Sequence, residues 1–113
     1  MITVYGIKTC DTVRKALKWL GEQEIEHTFH DFRVDGLEAT TVERWCRELG
    51  WESVLNKRST TWKQLSDQDK SGLDQAKAVA LMAAHPTLVK RPVFEHGGIV
   101  LQGFSDAIRA RLS

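Results

Sequence analysis

The sequence has little excess charge of either sign and no long apolar run. Sixteen Lys and Arg residues are balanced by fifteen Asp and Glu residues, for a formal net charge of +1. Such a balance gives no electrostatic reason to expect nucleic acid or an anionic membrane as the main partner. The longest apolar run, Ala78 to Ala84, is far shorter than the roughly 20 residues that cross a bilayer. The first residues do not resemble a signal peptide. We therefore expect a cytoplasmic protein with no nucleic-acid or membrane partner.

Cysteine is scarce, and the residue patterns of common metal and phosphate sites are absent. The two cysteines, Cys10 and Cys46, are expected to be free thiols rather than a disulfide framework. The four histidines show no metal-ligand spacing, and no glycine-rich phosphate loop is present. We expect no metal and no bound cofactor.

The N-terminal third predicts a strand, a helix and a second strand. Residues 2–5 alternate and are β-branched or aromatic, which is typical of a strand. A helix is predicted from Cys10 or Asp11, with Gly21 as its C-terminal cap. Residues 26–32 alternate again, and we expect this second strand to run parallel to the first.

The pattern in the middle of the chain predicts helices. A helix is predicted from Thr40 or Thr41 to Gly50, followed by a less regular segment over 51–62. A second helix is predicted over 73–84, which is rich in alanine and stops at His85 and Pro86.

The C-terminal part predicts a hairpin and a last helix. Pro92 lies inside a strand-like run, so it needs a special position: a strand start, an edge or a cis turn. Gly97 and Gly98 mark a hairpin, and Ser105 is a candidate N-cap. The order βαβ…ββα predicts an α/β, thioredoxin-like fold with a mixed four-stranded sheet. We expect one domain, 1–113, with a helical insertion at about 38–86, and a monomer.

Cys10 lies between the first predicted strand and the first predicted helix, at the start of the helix. Unpaired N–H groups and the helix dipole stabilise a thiolate at such a position. Lys8 and Arg14 could add to this effect, whereas Asp11 opposes it. A reactive thiol is favoured over an inert, buried one.

The sequence offers no dithiol motif around Cys10. The second cysteine of a Cys-x-x-Cys motif would occupy position 13, which is Val13. A redox cycle would need an outside thiol, most simply glutathione, or Cys46. Cys46, however, shares an apolar helix face with Val42, Trp45 and Leu49, so packing in the core is favoured.

Two arginines in loops are candidates for binding an anion. A guanidinium holds a carboxylate or an oxyanion in bidentate fashion. Solvated surface charge is the alternative for both Arg58 and Arg91. It is weaker for Arg91, because Pro92 follows it in an apolar segment.

Several motifs together resemble the arsenate-reductase-like (ArsC/Spx) family, most closely its YffB branch, over essentially the full length. The motifs lie at Tyr5–Thr12, Asp31–Leu37, Asn56–Trp62, Lys90–Pro92 and Gly103–Ser105. The resemblance implies a thioredoxin-like fold in which Cys10 is the nucleophile, Arg58 and Arg91 hold an anion, and Pro92 is cis.

Two parts of the arsenate reductase pattern are missing. A third arginine has no match near Gln102, and the histidine four residues before the cysteine is replaced by Gly6. Val13 also departs from the Cys-x-x-Cys typical of the Spx branch, which binds RNA polymerase.

The resemblance therefore favours a glutathione-dependent thiol–disulfide reductase that uses one cysteine. Glutathione would be the co-substrate, and a small disulfide or a protein mixed disulfide the other partner. Cys10, Arg58 and Arg91 are the predicted catalytic residues. Lys8, Thr9 and Pro92 join the two arginines in binding glutathione or substrate. Two alternatives are an arsenate reductase with an incomplete oxyanion site and an Spx-like redox regulator that binds a protein.

Overall fold

Four strands and eight α-helices form the protein, and a computed structural model describes all residues, 1–113. In chain order they are β1 (Ile2–Gly6), α1 (Asp11–Glu22), β2 (His27–Asp31), α2 (Phe32–Asp35), α3 (Ala39–Leu49), α4 (Trp51–Val54), α5 (Thr60–Gln64), α6 (Asp67–Lys70), α7 (Gln75–Ala84), β3 (Val93–His96), β4 (Ile99–Gln102) and α8 (Asp106–Leu112). A short 3₁₀ helix, Pro86–Leu88, follows α7. The chain divides into a sheet unit, Met1–Gly36 with Arg91–Ser113, and a helical unit, Leu37–Lys90.

The sheet unit holds one mixed sheet with strand order β2-β1-β3-β4. β1 runs parallel to β2 and antiparallel to β3, and β3 and β4 form an antiparallel hairpin. Val4 lies opposite both Phe29 on β2 and Phe94 on β3. This confirms the predicted thioredoxin-like α/β fold, including the parallel first pair and the C-terminal hairpin.

Alternation along β1 and one face of α1 build the core of the sheet unit. Along β1, Ile2 and Val4 are buried while Thr3 and Tyr5 are half-exposed, as a strand with one covered face requires. The same cluster contains residues from α1, the hairpin and α8, namely Ala16, Leu20, Phe94, Leu101 and Leu112. Burying these side chains is the main favourable contribution to folding of this unit.

The end of α1 differs from the prediction. Gly21 lies inside the helix, so its predicted capping role is wrong. The chain leaves the helix at Glu24, which has a φ of 56°, and the Ile25 N–H donates to the Leu20 carbonyl at 3.0 Å. This left-handed ending places the apolar side chain of Ile25 against the core, a contact that favours this stop over an earlier one.

The second strand is also shorter than predicted, because Phe32 begins α2. The Asp31 carboxylate accepts a hydrogen bond from the Arg33 N–H at 2.8 Å and thereby caps this short helix. Gly36 ends it with a φ of 76°. The predicted turn at Asp35 and Gly36 is therefore the end of a helical turn.

The helical unit is organised by α3 and α7. α3 buries Val42, Trp45 and Cys46 and ends at Gly50, where a φ of 86° confirms the predicted stop. α7 begins later than predicted, because Asp74 caps it by accepting a hydrogen bond from the Lys77 N–H at 2.8 Å. The segment predicted to be irregular contains α4 and the start of α5.

The chain enters the hairpin through a cis Arg91–Pro92 bond, directly before β3 begins. Of the special positions open to Pro92, the structure thus shows a cis bond at a strand start. Ser105 caps α8, as predicted, by accepting a hydrogen bond from the Ile108 N–H at 3.3 Å. None of the helices has the length and apolar character needed to span a membrane. The single domain with an insertion at about 38–86 stays a prediction.

Candidate active site

Cys10 is a free, half-buried thiol at the N-cap of α1. Its backbone N–H donates to the Ile7 carbonyl at 3.2 Å, and its own carbonyl accepts from the Arg14 N–H at 3.0 Å. Its side chain makes no capping hydrogen bond to the helix. The backbone thus fixes the residue at the helix start and leaves Sγ available for reaction.

The charges next to Cys10 in sequence largely cancel. Arg14 and Asp11 form an ion pair with each other, and both side chains are exposed. Each of these two side chains is therefore engaged with the other rather than acting as an isolated charge beside Cys10. Lys8 and Thr9 lie exposed in the loop between β1 and α1.

Arg91 belongs to the same unit as Cys10 and carries an unsatisfied hydrogen-bond donor. Its Nη1 is buried and has no hydrogen-bond partner. The Pro92 carbonyl accepts a hydrogen bond from the Gly103 N–H at 2.9 Å, which ties the segment to the chain beyond β4. A buried donor left unpaired costs about 1–3 kcal/mol. An anion that accepted this hydrogen bond would recover that energy.

Arg58 lies in the helical unit, in a loop that is held by hydrogen bonds through Asn56. Its N–H donates to Asn56 Oδ1 at 3.0 Å, and the Asn56 N–H donates to the Leu88 carbonyl at 2.7 Å. The exposed Arg58 lines a cavity of about 350 Å³ together with Glu52, Leu55, Asn56, Lys57 and Lys90. The lining contains three cations and one carboxylate, and so carries more positive than negative charge. An approach of Arg58 to Cys10 stays a prediction.

Gly6, which differs from the arsenate reductase pattern, and Val13, which differs from the pattern of the Spx branch, are sterically linked. A Cβ atom built on Gly6 would lie only 2.6 Å from Cγ2 of Val13. The buried Val13 therefore occupies the space that any side chain at position 6 would need. Glycine in place of the histidine and valine in place of a second cysteine form one packing arrangement.

Cys46 contrasts with Cys10. It is 2% exposed on the buried face of α3. Burial, with a smaller contribution from the negative charge of Glu43, raises its pKa from 9.0 to about 11. Cys46 therefore stays a protonated thiol at neutral pH, which fits core packing better than a resolving role.

Arg33 is a further residue at this loop that was not predicted from the sequence. Its guanidinium Nη1 donates to the Thr9 hydroxyl at 3.5 Å. The sequence nevertheless contained an indication that Arg33 lies near the Cys10 loop. β1 and β2 were predicted to be parallel, and the carboxyl ends of parallel strands meet at one edge of a sheet. The residues after β2 thus return beside the Cys10 loop.

The histidines on β2 have structural contacts. His27 Nδ1 donates to the Ile25 carbonyl at 2.8 Å, and His30 Nε2 donates to the Gly36 carbonyl at 2.7 Å. No group of three or more His, Cys, Asp and Glu side chains is arranged to hold a metal ion.

Comparison with known proteins identifies the family. The model of the ArsC family matches residues 5–110. An uncharacterised protein of Haemophilus influenzae is 51% identical over 106 residues, which cover 94% of this chain and 93% of that protein. The global transcriptional regulator Spx of Streptococcus pyogenes is 30% identical over 117 residues, 100% of this chain and 86% of Spx.

A solved structure agrees with these matches. A YffB protein that is 46% identical superimposes with a TM-score of 0.96 and covers 100% of both chains. The similarity thus extends over both units and includes the segments of Cys10, Arg58 and Arg91. The chain belongs to the ArsC family and is an arsenate-reductase-like protein.

Proposed function

We propose that the protein is a glutathione-dependent thiol–disulfide reductase in which Cys10 is the only catalytic thiol. The observation that carries the proposal is the difference between the environments of the two cysteines. Cys10 is accessible at a helix start, whereas Cys46 is buried with a pKa raised to about 11. Position 13, where a local partner cysteine would lie, is Val13. A catalytic cycle on Cys10 then needs a thiol from solution.

The cycle consists of two thiol–disulfide exchanges. The Cys10 thiolate attacks the glutathione sulfur of a mixed disulfide, forms a Cys10–glutathione disulfide and releases the substrate thiolate, which takes up a proton. The thiolate of a second glutathione then attacks the glutathione sulfur of the Cys10–glutathione disulfide. Glutathione disulfide leaves and the Cys10 thiolate returns. In each cycle the substrate sulfur is reduced to a thiol and the one free glutathione is oxidised, while the glutathione already held in the mixed disulfide becomes the other half of glutathione disulfide.

The arginines bind and orient the anionic substrate in this proposal. The buried, unpartnered Nη1 of Arg91 supports a role in accepting a carboxylate of glutathione. Arg58 would add a second guanidinium, while Lys8, Thr9 and Pro92 complete the binding surface. We further propose that the protein acts as a cytoplasmic monomer without a bound cofactor.

The test is reduction of a glutathionylated peptide, coupled to glutathione reductase and NADPH. Cys10→Ser should abolish turnover, because a hydroxyl does not replace the thiolate in exchange. Cys46→Ala is the matched control and should retain turnover. Arg91→Gln should raise the KM for the glutathionylated peptide about tenfold, as expected for loss of one charged hydrogen bond. Full activity of Cys10→Ser would refute the proposal.

Regulation by protein binding is the second candidate function, because Spx is 30% identical over the whole of this chain. It predicts a stable complex with RNA polymerase in a pull-down and no turnover in the peptide assay. Arsenate reduction is tested in parallel with arsenate and glutathione. Production of arsenite, lost in Cys10→Ser, would support the arsenate reductase alternative instead.

A further inference from the structure

We propose that Arg33 supplies a cation to the Cys10 site and binds a carboxylate of glutathione. This inference rests on the proposed function, because it names the residue that recognises the co-substrate.

The topology brings Arg33 to the loop that carries Cys10. β1 and β2 are parallel and end side by side, with Gly6 opposite Asp31. The chain that leaves β1 forms the Cys10 loop, and the chain that leaves β2 forms α2. The Arg33 Nη1 donates to the Thr9 hydroxyl at 3.5 Å, and Thr9 directly precedes Cys10. The contact is long, so the guanidinium can turn from Thr9 to a better acceptor.

Hydrogen bonds hold the backbone beneath Arg33 in place. The Asp31 carboxylate accepts from the Arg33 N–H at 2.8 Å, and the Asp31 N–H donates to Asp35 Oδ2 at 3.1 Å. His30 Nε2 donates to the Gly36 carbonyl at 2.7 Å, which fixes the far end of the turn. The Asp31 side chain is buried, so water competes weakly for its hydrogen bond. Ordering the arginine on a ligand therefore requires no rearrangement of the backbone beneath it.

The charge distribution leaves Arg33 available for an anion. Arg33 forms no ion pair, since the carboxylates of Asp31 and Asp35 accept backbone N–H groups instead. Arg14 is already paired with Asp11. Arg33 is also exposed, so a ligand can reach its guanidinium. A planar guanidinium binds a carboxylate through two parallel hydrogen bonds, and glutathione carries two carboxylates.

The first experiment measures the positive field at Cys10 without relying on catalysis. The rates at which iodoacetate (an anion) and iodoacetamide (neutral) alkylate Cys10 are compared at one pH and low ionic strength. In Arg33→Gln the ratio of the iodoacetate rate to the iodoacetamide rate should fall about two- to threefold, the effect of one solvated charge nearby. The difference should vanish in high salt. Arg111→Gln removes an exposed arginine of α8 and should leave the ratio unchanged.

The second experiment measures recognition of glutathione. Arg33→Gln should raise the KM for glutathione about five- to tenfold and leave the KM for 2-mercaptoethanol, which has no carboxylate, unchanged. Arg33→Lys should restore the alkylation ratio, because it restores the positive charge. It should lower the KM for glutathione only part of the way back to the unaltered value, because lysine cannot form the bidentate contact.

The outcomes separate this inference from the proposed function. Absence of any glutathione-dependent turnover in the unaltered protein refutes the proposed function and the glutathione contact together. Normal turnover with unchanged glutathione KM in Arg33→Gln refutes the contact alone. An unchanged alkylation ratio shows that Arg33 is not a cation of the Cys10 site.

Discussion

At the scale of single residues, environment makes two identical side chains behave differently. Cys10 is half-buried at the N-terminus of α1, while Cys46 lies on the buried face of α3. The apolar interior keeps the Cys46 thiol neutral, whereas the Cys10 side chain is partly exposed and makes no capping hydrogen bond. The redox role proposed for one cysteine and the packing role of the other follow from this difference.

The raised pKa of Cys46 predicts a pH-dependent loss of stability. In the unfolded chain the thiol ionises near pH 9, whereas in the folded protein its pKa is about 11. The stabilising contribution is therefore fully present below pH 9 and is lost as the pH rises to about 11, a loss on the order of 2 kcal/mol. Urea unfolding at pH 8 and pH 10.5 measures it. Cys46→Ala should lose less unfolding free energy between the two pH values than the unaltered protein. An equal loss would show that Cys46 is not its source.

The close approach of Gly6 and Val13 predicts that substitutions at these two positions have coupled effects on stability. Gly6→Ala should destabilise the protein by about 1–3 kcal/mol, because its Cβ would lie 2.6 Å from Cγ2 of Val13. In the Val13→Ala background the same change should cost much less. A double-mutant cycle by urea unfolding gives the coupling energy. Additive costs would show that the two positions do not compete for space.

At the scale of secondary structure, side-chain caps define where helices begin. Ser59, Ser66, Asp74 and Ser105 each accept a hydrogen bond from a backbone N–H in the first turn of a helix. The sequence predicts the cap at Ser105, because an apolar helical pattern follows this residue. The caps of α5 and α6 begin helices too short to show such a pattern.

The cap of α8 can be tested directly. Ser105→Ala should lower the free energy of unfolding by about 1 kcal/mol, because the Ile108 N–H loses its acceptor. Ser105→Asp should retain the stability, since its carboxylate can accept the same hydrogen bond. Ser53→Ala, at an exposed helical serine that caps nothing, is the control and should change stability little. Equal effects of the two alanine variants would argue against the cap.

Glycine shows why helix ends are only partly predictable. Gly50 ends α3 in a left-handed conformation, as predicted, whereas Gly21 lies within α1 and Glu24 adopts the left-handed conformation instead. The sequence marks glycine as permissive at both places. Packing of Ile25 against the core favours the later stop, and that contact depends on the rest of the sheet unit.

At the scale of the whole molecule, the sheet unit and the helical unit each have a buried core, and we expect one cooperative domain. Ile2→Val in the sheet unit and Val42→Ala in the helical unit remove buried methyl groups, at a cost of about 1–2 kcal/mol each. Each should lower amide-exchange protection equally in β1 and α7, as two-state unfolding requires. Loss of protection confined to the altered unit would contradict the single domain.

The sequence by itself determined the order of the strands and main helices, the hairpin and the position of Cys10 at a helix start. These features follow from local periodicity, turn residues and caps, which act between residues close in the chain. Only the tertiary structure decided that Arg33 reaches Thr9, that Val13 excludes a side chain at Gly6, and that Arg91 keeps a buried donor unpaired. These contacts join residues from separate elements or depend on burial. Their existence depends on strand pairing and packing, which local sequence preferences do not specify.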